Sequence, residues 1–136
     1  MLFRSAKEFA SLGSWEKKLS FSTSTSSAPV PLGPNEANLS SWRLLLDSGS
    51  LQDGEPNLAG TAHSSFVLIS PERAVSLRVT NGDLLRVSTK EGWIMLPARI
   101  EDIEHDTIWV PRNSSGSRLM QTLGVVSGAP VSVVKA

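Results

Sequence analysis

The run Asn113-Ser114-Ser115-Gly116 makes the strongest case for binding chemistry in this 136-residue chain. Small side chains with hydroxyls leave backbone N–H groups open, and successive amides of this kind can form a concave nest for an anion. The same residues equally suit a polar turn that caps a helix at Arg118. A second run of small polar residues spans Gly60 to Ser65, reading GTAHSS. His63 beside Ser64 and Ser65 supplies a base and two hydroxyls. Adjacency in sequence is not the geometry that activates a serine, however, and no G-x-S-x-G elbow is present. His63 and His105 stand in no metal-ligating spacing. Glu101, Asp102, Glu104, His105 and Asp106 read as a solvated charged turn rather than a cation site. Asn113-Ser114-Ser115 also spells a glycosylation sequon, which without a secretory signal is a chance match. The sequence therefore assigns no catalytic residue and no metal ligand.

The elements that must position these runs lie mostly between Ser70 and Pro111. Ser70 is a good helix N-cap, and Pro71 sits where its missing N–H costs nothing, so a helix starts there. Asn81-Gly82 tolerates positive φ and ends that segment in a tight turn. Leu85, Arg86, Val87 and Ser88 then alternate as a half-buried strand does. Lys90-Glu91-Gly92 reverses the chain into a long strand from Trp93 to Ile103, with Ile94, Leu96, Ala98 and Ile100 on one face. Pro97 inside it cannot donate to a ladder, which places that segment at an edge, a bulge or a strand crossing. Thr107 to Val110 is a further β segment that Pro111 stops.

Upstream, Asn38 or Ser40 is expected to cap a helix through Trp42 to Asp47, ended by Gly49, with Trp42, Leu45 and Leu46 on one docking face. Leu51 to Ser65 is a long loop without period, of a size that is often functional. Phe66 to Ile69 is a continuous apolar run, as in a buried central strand. Arg118 to Leu123 gives a turn or two of helix before Gly124, and Val131 to Val134 is a closing strand.

Composition bounds the function. Lys plus Arg balance Asp plus Glu at 13 each, so there is no electrostatic case for nucleic acid or an anionic membrane. The absence of cysteine excludes disulfides, thiolate-held zinc and iron–sulfur clusters ligated by this chain. No apolar run approaches the roughly 20 residues that span a bilayer, and the chain is expected to be soluble. Phe3 to Leu12 suits a short amphipathic helix ended by Gly13. Glu8 and Glu16 argue against a mitochondrial transit peptide. From Ser20 the chain is rich in Ser, Thr and Pro, which cannot repay its ordering entropy. The expected organisation is a helical tail over residues 1–19, a flexible linker over 20–38 and one folded domain over 39–136.

Taken together, the buried strand, Pro-led helix, N-G-D turn, strand, Gly turn, long strand and β segment ending in Pro resemble the molybdopterin-dinucleotide-binding domain of molybdopterin oxidoreductases. That resemblance implies a mainly β fold with short helices, a double-psi β-barrel shared with aspartate decarboxylases. WRLLLDSGSLQDGEPNLAGTA, from Trp42 to Ala62, and WVPRNSSGSRL, from Trp109 to Leu119, are more specifically similar to the C-terminal end of the large G subunit of actinobacterial NADH:quinone oxidoreductase, complex I. Phe9 to Glu16 is similar to the end of the preceding domain there. Such a short chain is the expected product of a split gene, a truncation or a relic reading frame. Members of that family usually carry Gly where Arg78 stands. An Arg in αL geometry costs about 1 kcal/mol against Gly, so a changed helix exit or a small loss of stability is expected.

The resemblance implies a non-catalytic packing domain of the peripheral arm. Its expected partners are the remainder of the large G subunit and other complex I subunits, at the cytoplasmic face of the plasma membrane without insertion into it. No cofactor is expected. Molybdopterin dinucleotide is the alternative, held in loops that correspond to Gly60, Thr61 and His63 and to Asn113, Ser114, Ser115 and Gly116, although no cysteine is present to ligate molybdenum. Two other classes use the same barrel. Aspartate decarboxylases cleave themselves at a Gly-Ser bond, and Gly13, Gly49 and Gly116 each precede Ser here, none in a Lys-Gly-Ser turn. The other is a free-standing interaction module, like the substrate-recognition barrels of some AAA ATPases, a role that a contiguous patch of exposed Trp42, Trp93 or Trp109 would favour.

Overall fold

The computed structural model describes residues 31–136. The helix expected over Phe3 to Leu12, and the linker before residue 31, lie outside them. The elements run β1 Glu36–Ser40, a 3-10 turn Ser50–Gln52, α1 Pro56–Ala59, β2 Val67–Ile69, α2 Pro71–Leu77, β3 Leu84–Ser88, β4 Trp93–Ile100, β5 Thr107–Trp109, β6 Asn113–Ser114, β7 Ser117–Arg118, α3 Leu119–Thr122 and β8 Pro130–Lys135. Six strands close into a barrel in the order β1-β5-β2-β4-β3-β8, with β6 and β7 forming a separate hairpin.

Strand alternation builds the core. Ala37 and Leu39 of β1, Val67 and Ile69 of β2, and Leu85 and Val87 of β3 point inward. So do Ile94, Leu96 and Ala98 of β4, Ile108 of β5, and Val131 and Val133 of β8. Their side chains fill the barrel interior as one cluster, with Leu119 and Leu123 packed into it. Pro97 lies at a strand crossing, as its missing N–H requires. Residues up to Pro97 pair antiparallel with β3, while Ala98 to Ile100 pair parallel with β2.

Helix α2 begins as its sequence predicts. The Ser70 hydroxyl accepts from the Arg73 backbone N–H at 3.1 Å, and Pro71 opens the first turn. Its exit keeps the left-handed geometry that suits glycine: Arg78 adopts φ 54 and ψ 48, where a Cβ is strained. The neighbouring Lys135 Nζ donates to the Arg78 carbonyl at 3.2 Å, a contact that needs no Arg78 side chain. Arg78→Gly should therefore raise the unfolding free energy by about 1 kcal/mol, readable as a higher urea midpoint with unchanged slope.

The turn into β3 is fixed by a carboxylate. Asp83 Oδ2 accepts from Lys135 Nζ at 2.8 Å and from the Thr80 backbone N–H at 2.8 Å. The Lys135 hydrogen bond first, then the Thr80 N–H, pull its carboxyl from 3.8 down to about 2. Since the folded value lies below the unfolded one, this group favours the folded state fully above about pH 4. That contribution fades as pH falls from there through about 2. An NMR titration should find the Asp83 midpoint near 2, and Lys135→Gln should move it upward.

Two expectations are corrected. The helix from Trp42 to Asp47 does not form. Asn38 and Ser40 are taken up in β1, paired with Thr107 and Trp109 of β5, so neither is free to cap a helix. The following segment is held in an irregular path by tertiary bonds instead: Arg112 N–H donates to the Trp42 carbonyl at 3.0 Å and Ser48 N–H to the Asn113 carbonyl at 2.7 Å. Leu45, assigned to a docking face, is 97% exposed. The barrel also begins earlier than expected, because β1 starts at Glu36 inside the stretch read as linker. The loop from Leu51 to Ser65 carries the 3-10 turn and the exposed helix α1.

Arg73, which sequence reasoning passed over, is buried in α2 with only 3% of its surface exposed. Its Nε donates to the His105 carbonyl at 2.8 Å and its Nη2 to the Glu36 carbonyl at 3.1 Å. Asp106 Oδ1 lies 3.6 Å away at the surface. Burial lowers the guanidinium from its ordinary value, and Asp106 partly offsets this.

Candidate functional site

A cleft of about 560 Å³ opens where the β6–β7 hairpin meets the segment after β1 and the loop before β2. Its walls include Asp47, Gln52, His63, Ser65, Ser114 and Arg118. The hairpin forms because Gly116 takes φ 80 at its tip, letting Ser114 pair with Ser117 and Asn113 with Arg118. Asn113 to Gly116 is thus a β-hairpin that presents side chains to a cleft. Ser65 is drawn into the hairpin, its Oγ donating to the Ser115 carbonyl at 2.6 Å. With its proton engaged there, Ser65 is a structural hydroxyl, and His63 is exposed at the cleft wall.

Two buried oxygens at this cleft lack hydrogen-bond partners. Ser114 is 4% exposed and its Oγ is unpaired. Asp47 uses Oδ1 to accept from the Gly49 N–H at 2.8 Å, while Oδ2 makes no hydrogen bond. Arg43 Nε stands 3.5 Å from that oxygen, an ion pair without hydrogen-bond geometry. The Gln52 amide faces the Asp47 backbone, and in the orientation that satisfies both its atoms it donates to the Asp47 carbonyl at 3.2 Å and accepts from the Asp47 N–H at 3.0 Å. A buried oxygen without a hydrogen bond is costly, so these two are the groups that a ligand would satisfy. A carboxylate oxygen and a hydroxyl at one cleft suit a ligand edge carrying N–H donors.

Of the expected site residues, His63, Ser114 and Ser115 meet in this cleft. Asn113 lines a neighbouring one with Arg118. Gly60 closes α1 in ordinary helical geometry, and the Thr61 hydroxyl donates to the Leu58 carbonyl at 2.8 Å, outside the cleft lining. Gly116 shapes the hairpin without lining the cleft. Asp47, Gln52 and Arg118 were missed. Asp47 was hidden by the expectation of a helix, although Asp-Ser-Gly is itself a turn signal that places a carboxylate at a loop. The three tryptophans that would favour a recognition module do not form one exposed patch: Trp109 is buried, with the tilted rings of Trp42 and Phe66 centred 4.8 and 5.5 Å from it. Trp93 lies instead beneath Arg86, 5.2 Å from the ring centre.

The closed six-stranded barrel, with its parallel and antiparallel pairings, is of the double-psi class. The solved structure of the computationally designed msDPBB_sym2 protein shares it, at TM-score 0.51 and 16% identity over 74% of this chain and 96% of that one. Within that class, the chain belongs to the family described as the molydopterin dinucleotide binding domain, whose model matches residues 39–134. It is 39% identical over 128 residues to the G subunit of the NADH-quinone oxidoreductase of Mycobacterium bovis, covering 93% of this chain and 16% of that protein. To the corresponding protein of Streptomyces coelicolor it is 35% identical over 127 residues, covering 93% and 15%. The chain thus matches one domain of these relatives and spans about one sixth of their length.

Proposed function

We propose that the chain acts as a non-catalytic barrel domain of the large G subunit of an NADH:quinone oxidoreductase, packing against the remainder of that protein and its neighbours on the cytoplasmic face of the membrane. The observation that carries this reading is the identity of 39% extending over 93% of the chain, beyond the bounds of the family model. In this reading residues 1–19 belong to a preceding domain, and the barrel begins at Glu36. The engagement of Ser65 by Ser115 supports a structural role for the hydroxyl-rich loops. Among the described residues no helix is long and apolar enough to cross a membrane, which suits attachment through other subunits.

The test is recovery of the tagged chain from its own cells, with mass spectrometry of its partners and of any small molecule released on denaturation. Other subunits of the oxidoreductase are expected, without a pterin. A free chain, or one bound to a different enzyme, overturns the reading.

A second reading rests on Asp47 Oδ2 and Ser114 Oγ, which make no hydrogen bond. The cleft is of ligand size and its donor set fits part of a molybdopterin dinucleotide, with Asp47 and Ser114 holding an N–H-bearing edge. The cofactor itself would supply metal-centred redox chemistry. A pterin released in the same experiment, lost in Asp47→Ala, favours this reading over the first.

A further inference from the structure

Beside that cleft, and sharing Arg118 with it, lies a second cleft of about 260 Å³. Arg43, Arg112, Arg118, Asn113, Gln121 and Met120 line it. We propose that this arginine cleft docks an acidic protein segment, carrying a large apolar anchor, from outside these 136 residues.

The cations are brought together by backbone structure. The Arg112 N–H donates to the Trp42 carbonyl, tying Arg112 to the strand of chain that bears Arg43. The Arg112 carbonyl accepts from Leu119 N–H at 3.2 Å, fixing it to the start of α3. Arg118 is held in the hairpin ladder opposite Asn113. Asp47 sits 3.5 Å from Arg43, whereas Arg112 and Arg118 form no ion pair among the described residues. Three guanidinium groups and one adjoining carboxylate leave two positive charges over. Gathered around one cleft, these charges attract an anion.

The apolar surface decides which anion. Met120, in the cleft lining, is 53% exposed, and the segment that carries Arg43 also exposes Trp42 and Leu45. An inorganic oxyanion would use the guanidinium forks and leave these apolar surfaces wet. A protein segment with two or more carboxylates and one aliphatic or aromatic side chain uses both. Arg, Trp and Met are the residues enriched at protein interfaces, and the arginine fork matches a carboxylate in bidentate fashion. The surface deepens the packing role proposed above by naming the chemistry of the partner, and it rests on that reading only for the partner's identity.

The test places a photocrosslinking p-benzoylphenylalanine at Met120 in the full chain, in its own cells, and sequences the crosslinked peptide. The expected product joins Met120's position to a single peptide with clustered Asp or Glu and one large apolar residue. Its yield should fall at least about tenfold in the Arg112→Glu, Arg118→Glu double variant. The composition of the wild-type crosslinked peptide tests the proposal even where the double variant unfolds. A peptide without carboxylates, a yield indifferent to charge reversal, a crosslink confined to these residues, or none at all overturns it. An acidic segment outside the oxidoreductase keeps the surface and removes the packing role; an acid-free contact within that complex does the reverse.

Discussion

Replacing Arg73 with alanine is expected to lower the unfolding free energy by about 3 kcal/mol, in urea unfolding followed by tryptophan fluorescence. The guanidinium joins three parts of the barrel wall that meet at α2: the turn before β5 through the His105 carbonyl, the start of β1 through the Glu36 carbonyl, and α2 itself. Alanine strands both carbonyls, removes a buried stem and leaves a void. Each hydrogen bond from a charged donor is worth roughly 1.5–3 kcal/mol, whereas the ion pair with the exposed Asp106 adds under about 1 kcal/mol. Asp106→Asn should therefore cost little, and Arg73→Lys should recover less than half of the loss, because a single ammonium does not reproduce the fork. Equal losses from Arg73→Ala and Asp106→Asn would mean that the pair, not the carbonyl bonds, holds the wall. Against a total stability of about 5–15 kcal/mol for a domain, the loss is large enough to deplete the folded chain in cells.

Arg73 also shows where sequence reading stops. The Ser70-Pro71 start of α2, the Asn81-Gly82 turn and the alternation in β3 and β4 are local signals, and local signals were enough to place them. Pro97 announced an edge, a bulge or a crossing because a missing N–H is a property of one residue, and the structure shows the crossing. Trp42 to Asp47 carried a helical period, yet strand pairing at Asn38 and Ser40 and backbone bonds from Arg112 overrode it. The double-psi class came from the family resemblance that the order of elements carries, whereas closure through β1 and β8 depends on pairings far apart in sequence. The same limit governs the site. His63, Ser114 and Ser115 were legible as members of runs of small polar residues. The Asp47 oxygen was not, because what distinguishes it is the lack of a hydrogen bond, which only the folded chain defines.

Gly92→Ala is expected to cost about 2 to 3 kcal/mol, from a collision rather than from backbone strain. A Cβ built at Gly92 runs into the carbonyl oxygen of Thr122, the last residue of α3, and both partners are backbone or bound to it. Neither is free to swing aside. Thr89 Oγ1 donates to the Leu123 carbonyl at 2.8 Å, and Leu123 is buried in the barrel core, so α3 is locked against the β3–β4 turn just where the methyl would enter. Gly82→Ala is the control: Gly82 has φ 91 with open space around its Cβ, and its substitution should cost only the left-handed strain of about 1 kcal/mol. If Gly92→Ala proves no more costly than Gly82→Ala in urea unfolding, α3 is not held against the turn as the structure shows. Helix α3 also carries Met120 and Gln121 into the arginine cleft. Displacing it should consequently weaken crosslinking from the Met120 position although Gly92 lies outside that surface, whereas Gly82→Ala should leave the crosslink intact.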